Sequence, residues 1–417
     1  MMKYRLLALL SAAAIMLAGC GSSDSSSSAD ANKPSDGTGT SAVTEASEAV
    51  TEAAPAEDSS YTRSKSFVET KDYPSLKELY KDRFLIGCAI STKVMNSPEY
   101  TQLAVEQFNS YTAENEMKPE RVLDQQTAMS DPGKYNEHVP VTYDSIRTCL
   151  EYAQAHGFAV RGHTLVWHSQ TPEWFFYKNF DKNQGNVDRE TMLKRMENYI
   201  KDVLEWTNEN YPGLIYAWDV VNEAASDSKG MRKESKWYEV VGEDFVEKAF
   251  EYARKYAAKD VKLFYNDYNA YQARKQKDII SFLKPIAEAG NLDGVGMQSH
   301  IGLYLHPNSF MSAVREYVEE LGDIEIQITE LDIGKDKSDN WEEKQKELYK
   351  GFFEGLMELQ DDGIKITSVT IWGLTDDMSW RKGENALMFN RDLSRKPAFD
   401  GVVEAITGSG DSEEEAA

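Results

Sequence analysis

Eight strand-like runs alternate with amphipathic helical stretches between about residues 66 and 407, and this alternation limits the possible folds more than any other feature. A strand–helix unit repeated eight times predicts an α/β fold in which one parallel sheet closes into a (β/α)8 TIM barrel. The strand candidates are Phe84–Ile90, Ser110–Asn115, Ala159–Trp167, Ile215–Glu223, Lys262–Asn269, Gly294–His300, Glu325–Asp332 and Ile366–Leu374.

A doubly wound open sheet is the structural alternative. That fold normally carries a glycine-rich phosphate-binding loop after an early strand, and the sequence has no such loop. The alternation therefore favours the barrel. The helix candidates between the strands include Tyr143–His156, Asp188–Asn210, Phe245–Lys259, Lys275–Ala289, Ser309–Leu321 and Trp341–Leu359.

Polar and aromatic side chains cluster where the strand candidates end. In a barrel, the carboxyl ends of all strands meet on one face, which is where active sites of this fold lie. The mixture of carboxylates, amides, imidazoles and indoles is not typical of solvated loops, so it predicts a functional site on that face. The strand ends in question carry Glu114 and Asn115, His163 and Trp167, Asn222 and Glu223, the segment 266–269, Gln298 and His300, Glu330 and Asp332, and Trp372.

Two glutamates stand out among these residues. Glu223 and Glu330 each follow an apolar strand body, on the fourth and the seventh candidate. A carboxylate at such a position is costly unless it is paired or has a function. Cleavage of a glycosidic bond requires two carboxyl groups, one to protonate the leaving oxygen and one to attack the anomeric carbon or to activate water. The pair therefore predicts glycoside hydrolysis.

Short motifs on the expected strands resemble those of glycoside hydrolase family 10, the family of retaining endo-β-1,4-xylanases. The resemblance extends from about residue 70 to 404. It implies that the chain hydrolyses internal β-1,4-xylosidic bonds and that it binds xylan and xylo-oligosaccharides. The motifs are TAENEMK (112–118), GHTLVWHSQTPEW (162–174), WDVVNE (218–223), QSH (298–300), ITELD (328–332) and WG (372–373).

The resemblance also implies a role for each site residue. Glu330 would be the nucleophile and Glu223 the general acid and then the general base, with their carboxyl groups about 5–5.5 Å apart. At that separation the two charges repel, so the pKa of one group rises and it keeps its proton. Asn222, His300 and Asp332 would support catalysis. The implied substrate-binding residues are Glu114, Asn115, Lys118, His163, Trp167, Tyr268, Asn269, Gln298, Trp372 and Trp380.

The N-terminus is typical of an exported bacterial lipoprotein. Residues 1–19 combine a short basic region with an apolar run that is too short for an ordinary membrane span, which predicts a lipoprotein signal peptide. The sequence Leu-Ala-Gly-Cys then resembles a lipobox, which predicts a lipid on Cys20 and attachment to the bacterial cell surface or envelope. We expect a Ser- and Glu-rich disordered linker over 20–65, the catalytic barrel over 66–407 and an acidic tail over 408–417.

The net charge and the cysteine content limit the partners and cofactors that we expect. The formal net charge of −24 disfavours binding to the phosphate backbone, so we expect no nucleic-acid partner. The chain has no His-Glu-x-x-His motif and no paired-cysteine zinc pattern, so we expect neither a catalytic metal nor a cofactor. Cys88 and Cys149 are interpreted as buried free thiols rather than as a disulfide. We expect a monomer.

Two functional alternatives stay open. A β-glucan- or mannan-acting hydrolase of the same barrel clan would share the strand-four Asn-Glu pair and the strand-seven Glu, although the strand-two and strand-three motifs favour xylan. A non-catalytic surface lipoprotein that binds glycans would use the same anchor. Because Glu223 and Glu330 are both present, the sequence favours an enzyme over a binder.

Overall fold

A computed structural model of the chain describes residues 73–408. Within this range the strands are β1 (Leu85–Ile90), β2 (Ser110–Ala113), β3 (Ala159–Trp167), β4 (Ile215–Asn222), β5 (Lys262–Asp267), β6 (Gly294–Met297), β7 (His300–Gly302), β8 (Glu325–Gly334) and β9 (Ile366–Ile371). The helices are α1 (Leu76–Leu79), α2 (Thr92–Met95), α3 (Pro98–Gln107), α4 (Pro119–Val122), α5 (Gln125–Ser130), α6 (Asp144–His156), α7 (Arg189–Asn210), α8 (Lys236–Val241), α9 (Phe245–Tyr256), α10 (Ala273–Glu288), α11 (Pro307–Leu321), α12 (Trp341–Asp361) and α13 (Pro397–Thr407). Three short 3-10 helices follow β3, at Glu173–Phe176, Lys178–Phe180 and Lys182–Gln184.

The parallel sheet closes on itself. The strands are hydrogen-bonded in the order β6-β5-β4-β3-β2-β1-β9-β8, and an additional pairing of β6 with β8 completes the ring. β7 is a short extension that pairs only with the end of β8. The ring therefore has eight strands, and the prediction of a (β/α)8 barrel is confirmed. The doubly wound alternative is wrong, because an open sheet has two edges and this one has none.

The helices cover the barrel with one apolar face each. In α9 the buried residues are Phe245, Val246, Ala249, Phe250 and Ala253, which is the spacing that places side chains on one side of a helix. Some helix ends carry capping residues. The Asp188 carboxylate accepts a hydrogen bond from the Thr191 backbone N–H at the start of α7, and α6 ends at Gly157 in the left-handed conformation.

The inside of the barrel is partly polar. Arg161 on β3 and Asp219 on β4 are both fully buried and form a bidentate ion pair, in which Nη2 donates to Oδ1 over 2.6 Å. The Arg161 Nε–H donates to Gln327 Oε1 on β8 over 2.8 Å. A buried ion pair is tolerated only when its remaining hydrogen-bonding groups also have partners. These contacts tie three strands together beneath the site described below.

Several strands are shorter than predicted, and the difference lies at their carboxyl ends. The predicted strands Ser110–Asn115, Ile215–Glu223, Lys262–Asn269 and Ile366–Leu374 end at Ala113, Asn222, Asp267 and Ile371. Glu223 and Asn269 have φ angles of 56° and 52°. A residue in this left-handed region cannot continue a β ladder. The polar residues beyond the ladder are thus released from the sheet and turn into the mouth of the barrel.

The predicted strand Gly294–His300 is wrong as one continuous strand. Ser299 has a φ of 66°, which ends β6 at Met297 and lets the chain resume as β7 at His300. In contrast, β8 continues two residues beyond the predicted Asp332. The helix bounds differ less. For example, the predicted Phe245–Lys259 ends at Tyr256, and the predicted Lys275–Ala289 begins at Ala273.

The terminal predictions fall on residues that the structure does not describe. The signal peptide, Cys20, the linker, residues 66–72 of the predicted barrel domain and residues 409–417 of the acidic tail lie outside the described range. These assignments stay predictions. Within residues 73–408, no helix combines the length and apolar character that a membrane crossing requires.

The two cysteines of the described range are free and buried, as predicted. Burial raises the pKa of the Cys88 thiol far above its usual range, and it raises that of Cys149 to about 12. Both thiols therefore stay protonated and act as small apolar side chains of the core.

Candidate active site

An open cavity of about 550 Å³ occupies the carboxyl-terminal mouth of the barrel. All the catalytic and binding candidates from the sequence line it except Asp332, and one further residue, Tyr304, lines it without having been predicted. The lining residues are Glu114, Asn115, Lys118, His163, Trp167, Asn222, Glu223, Tyr268, Asn269, Gln298, His300, Tyr304, Glu330, Trp372 and Trp380. The geometry therefore brings residues from seven of the eight barrel positions into one site.

Glu330 is a buried carboxylate on β8, and only 5% of it is exposed. Its Oε1 accepts a hydrogen bond from Asn266 Nδ2 over 2.9 Å, and its Oε2 lies 3.1 Å from His300 Nε2. Burial opposes ionisation of Glu330. The hydrogen bond from His300 and the nearby cations, Lys118 among them, outweigh burial and lower the pKa of Glu330 to about 2. The group is therefore held as an anion.

His300 carries the positive charge that this arrangement requires. Its Nδ1 lies 2.8 Å from Asp332 Oδ2, while its Nε2 faces Glu330. Burial alone would lower the pKa of His300, but the charge and the hydrogen bond of Asp332, followed by those of Glu330, raise it to about 10. Both ring nitrogens are then donors, which fixes the plane of the ring between two carboxylates.

Asp332 lies behind His300 and does not line the cavity. Its carboxylate is fully buried and accepts hydrogen bonds from Trp380 Nε1 over 2.9 Å and from Arg381 Nη1 over 2.7 Å. Arg381 also donates to the carbonyl of Ile301. Asp332 thus connects the loop after β9 to the His300 imidazole, and it reaches Glu330 only through that ring.

Glu223 follows β4 and is partly exposed in the cavity. Its carboxylate accepts hydrogen bonds from three neutral donors, Trp167 Nε1 and Gln298 Nε2, each over 3.0 Å, and Asn222 Nδ2 over 3.3 Å. The Glu223 backbone N–H donates to the carbonyl of Asn266 over 2.9 Å. Its surroundings therefore differ from those of Glu330, which faces a cation and is almost completely buried.

A chain of amide side chains joins the two glutamates. Gln298 Nε2 contacts both Glu223 and Asn222 Oδ1, the latter over 3.2 Å. Asn266 Nδ2 donates to the same Asn222 oxygen over 2.9 Å and also to Glu330. Asn266 was not assigned a role from the sequence. The signal available was its position in the polar end of the fifth strand, but that position alone does not reveal which carboxylate it reaches.

One side of the cavity is formed by the ends of β2 and β3 and the loop after β9. Lys118 is only 5% exposed, and its Nζ donates to Asn115 Oδ1 over 3.1 Å and lies 4.9 Å from the centre of the Trp167 ring. Burial lowers the pKa of Lys118, and Glu330 partly opposes this effect. His163 Nδ1 lies 2.9 Å from Asp219, so the ion pair inside the barrel reaches the cavity wall.

Two indoles border the same side. Trp372 is nearly buried beside His163, with ring centres 5.5 Å apart, whereas Trp380 is 55% exposed and lies edge-on to His300 at 4.9 Å. After β2, burial and the charge of Glu116 raise the pKa of Glu114. This side therefore combines aromatic faces with tightly held polar groups.

The other side of the cavity is formed by the loops after β5 and β7. The Tyr268 hydroxyl donates to Asp227 and accepts from Arg232 over 3.0 Å, and Lys275 Nζ lies 3.4 Å from the centre of its ring. Tyr304 is 74% exposed. The only sequence signal for Tyr304 is its position, as an aromatic residue between a strand end and the proline that begins α11.

The described residues contain no group of three or more His, Cys, Asp or Glu side chains that could hold a metal ion. The carboxylates of the cavity are instead matched with imidazole, amide and indole donors. The chemistry that this arrangement supports is proton transfer and nucleophilic attack by side chains.

We expect the charge of His300 to control the ionisation of Glu330. His300→Asn removes the cation but keeps a polar side chain, so the pKa of Glu330 should rise by roughly 1 to 3. A larger fraction of Glu330 would then be protonated at pH 4 to 5. Carbon NMR of protein labelled at the glutamate carboxyl carbons measures this pKa directly, with Glu330→Gln identifying the signal.

His138→Asn is the matched control. His138 Nε2 forms a similar pair with Asp202 over 2.7 Å, but on the outside of the barrel. This variant should leave the titration of Glu330 unchanged. An unchanged pKa of Glu330 in His300→Asn would contradict the electrostatic role of His300.

Solved structures with the same architecture include xylanases bound to xylo-oligosaccharides. The CBM22 and GH10 modules of a Clostridium thermocellum endo-1,4-beta-D-xylanase, solved with xylohexaose, align with a TM-score of 0.73 at 36% identity, over 80% of this chain and 67% of that one. An intracellular xylanase of Thermoanaerobacterium saccharolyticum, solved as a mutant with xylotetraose, aligns with a TM-score of 0.70 at 35% identity, over 79% of this chain and 98% of that one.

Sequence comparisons agree with the structural ones. Endo-1,4-beta-xylanase B of Butyrivibrio fibrisolvens is 45% identical over 338 residues, which cover 79% of this chain and 51% of the relative. Endo-1,4-beta-xylanase A of Thermotoga maritima is 39% identical and aligns over 31% of its own length. The chain thus spans about half or less of these relatives. The family model described as glycosyl hydrolase family 10 matches residues 75–405, and the chain belongs to that family.

Proposed function

We propose that the chain is an endo-1,4-β-xylanase that retains the configuration of the anomeric carbon. The observation that carries the proposal is the placement of two carboxylates with unlike surroundings in one cleft. Glu330 is buried against a cationic His300, which favours an anionic nucleophile. Glu223 is partly exposed, and its carboxylate accepts hydrogen bonds only from neutral side-chain donors. This difference suits a nucleophile and an acid/base group.

The proposed reaction has two displacements. First, Glu330 Oε attacks the anomeric carbon while Glu223 gives its proton to the departing glycosidic oxygen, so that the sugar becomes esterified to Glu330. Next, Glu223, now a carboxylate, takes a proton from water, whose oxygen attacks the same carbon and releases Glu330. Asn222 would bind the sugar 2-hydroxyl, a contact that strengthens in the transition state.

Three observations support xylan as the substrate. The relatives named above are xylanases, and the solved structures include complexes with xylohexaose and xylotetraose. The cleft is open and has aromatic side chains on both sides of the carboxylates, with Trp372 and Trp380 on one side and Tyr268 and Tyr304 on the other. Such a cleft can admit the interior of a chain, as endo-hydrolysis requires.

The proposal predicts that both carboxylates are required for xylan hydrolysis. Glu330→Ala should abolish turnover, because no covalent intermediate can form. Glu223→Ala should lower the rate on xylan by roughly 10²–10⁴-fold through loss of acid–base catalysis. The measurement is the size distribution of xylo-oligosaccharides released by residues 61–417, with proton NMR of the first-formed anomer to establish retention. Full activity of Glu330→Ala would exclude it as the nucleophile.

A substrate comparison separates the remaining alternatives. Turnover of an aryl xylobioside should exceed that of an aryl cellobioside, since a crowded site can reject the hydroxymethyl group of glucose. Preference for the cellobioside, or activity only on β-glucan or mannan, would keep the mechanism but change the substrate. Stoichiometric binding of glycans without turnover of any of them would favour the non-catalytic binder.

Tyr304 is proposed to bind the leaving part of the chain. The barrel order places the loop after β7 next to the β5 loop that carries Tyr268 and Asn269, and opposite the strand ends that carry Glu114 and Asn115. Of the described residues, only Met129, Tyr304 and Trp380 are large hydrophobic side chains that are strongly exposed. Two of the three border the cleft, as expected of faces on which pyranose rings stack.

Tyr304→Ala should therefore affect long substrates most. We expect kcat/KM for xylohexaose to fall about 5- to 30-fold, equivalent to about 1–2 kcal/mol of lost apolar contact. An aryl xylobioside has no sugar on the leaving side, so its kcat/KM should change less. Met129→Ala is the control, because Met129 is 50% exposed but does not line the cleft. Equal losses on both substrates would argue against the assignment.

We further propose that the chain is exported and anchored to the bacterial envelope by a lipid on Cys20. The support is the N-terminal sequence alone, since Cys20 precedes the described residues. In a bacterial host, the full chain should incorporate labelled palmitate and sediment with membranes, and Cys20→Ser should do neither. Labelling that persists in Cys20→Ser would show that the lipid is elsewhere.

A further inference from the structure

The backbone around Glu223 is held in an unfavourable conformation. Glu223 has a φ of 56°, which costs a residue with a side chain free energy unless its neighbours hold it in place. The chain then turns away from the sheet through Ala224 and Ala225, which are 3% and 0% exposed. Their backbone N–H groups have left the β ladder, and a buried N–H group needs a partner.

One hydroxyl supplies both partners. The N–H groups of Ala224 and Ala225 donate to the Tyr265 oxygen over 3.0 and 3.1 Å. Tyr265 lies on β5, is fully buried and does not line the cleft. Its own O–H donates to Asp267 Oδ2 over 2.5 Å. A tyrosine hydroxyl has one hydrogen to donate. Because that hydrogen is donated to Asp267, the Tyr265 oxygen can accept hydrogen bonds from both backbone N–H groups.

Asp267 is fixed in turn by a buried cation. Lys275 Nζ on α10 lies 2.8 Å from Asp267 Oδ1, and both side chains are almost completely inaccessible. Burial raises the pKa of Asp267 to about 6, against the opposing charge of Lys275. These contacts thus connect Lys275 on α10, through Asp267 and Tyr265 on β5, to the two residues that follow Glu223.

We propose that Tyr265 and Asp267 are positioning residues for the general acid: they hold the turn after Glu223 and so direct its carboxyl group toward the glycosidic oxygen. The inference rests on the proposed function, in which Glu223 is the proton donor. Neither residue touches the sugar, because neither lines the cleft. A small displacement of a catalytic group can cost about 10²-fold in rate even when the change is remote from the reacting atoms.

The test compares substrates whose leaving groups differ in how much they need protonation. Aryl xylobiosides with poor leaving groups, such as unsubstituted phenol, need protonation by Glu223, whereas 2,4-dinitrophenolate departs without it. Tyr265→Phe keeps the ring, which packs on Phe282 with ring centres 5.2 Å apart, but removes the hydroxyl. We expect kcat/KM to fall roughly 10- to 100-fold for the phenyl substrate and to change little for the dinitrophenyl substrate.

Asp267→Asn is the second variant, because it keeps the side-chain size but removes the charge that Lys275 pairs with, and so weakens the acceptor that holds the Tyr265 hydroxyl. It should show the same steeper dependence of kcat/KM on leaving-group acidity. Tyr80→Phe is the control: Tyr80 is also fully buried, and its hydroxyl donates to the Val402 carbonyl over 2.6 Å on another part of the barrel. Tyr80→Phe should lower the melting temperature without changing the leaving-group dependence.

The outcomes separate this inference from the proposed function. If the wild-type chain hydrolyses neither xylan nor an aryl xylobioside, the proposed function fails, and this inference fails with it. If the wild-type chain is active and folded Tyr265→Phe or Asp267→Asn loses the same factor on every leaving group, or loses nothing, the positioning role alone is overturned.

Discussion

The positive charge of His300, held between Glu330 and Asp332, is the interaction on which the mouth of the barrel depends. Glu330 and Asp332 have almost no exposure and lie at the end of one strand, and the His300 imidazole contacts both carboxylates. A buried charge is costly unless it is paired with an opposite charge. Trp380 donates to the Asp332 oxygen that His300 also contacts, and Arg381 donates to the other oxygen. The loop after β9 is therefore anchored on Asp332, the same carboxylate that holds the His300 imidazole against Glu330.

A second buried ion pair, Arg161 with Asp219, lies further inside the barrel. Asp219 also contacts His163 at the cavity wall. The polar groups of the site are thus continuous with polar groups of the barrel interior, and their partners come from different strands. Closure of the sheet brings these strands together, so the electrostatics of the cleft depend on the barrel as a whole and not on any one motif.

The two glutamates differ because their backbones differ. Glu330 lies within β8, where the ladder holds it and its neighbours bury it. Glu223 lies just beyond β4 at a positive φ, which lifts its side chain toward solvent and leaves the following N–H groups to be satisfied elsewhere. Local strain at Glu223 and the buried Tyr265 hydroxyl are two parts of one arrangement. Identical side chains can thereby serve as nucleophile and proton donor.

The sequence by itself determined the barrel, through eight strand–helix repeats, and it placed Glu223, Glu330 and most cleft residues at strand ends, because apolar runs that end in polar residues are a local pattern. It also predicted the buried thiols of Cys88 and Cys149.

Only the tertiary structure decided that Asp332 lies behind His300, that Asn266 bridges to Glu330, and that Tyr265 and Tyr304 belong to the site's surroundings. These contacts join residues tens of positions apart. They depend on strand register and on left-handed turns at Glu223, Asn269 and Ser299, which are set by closure of the barrel and not by local sequence.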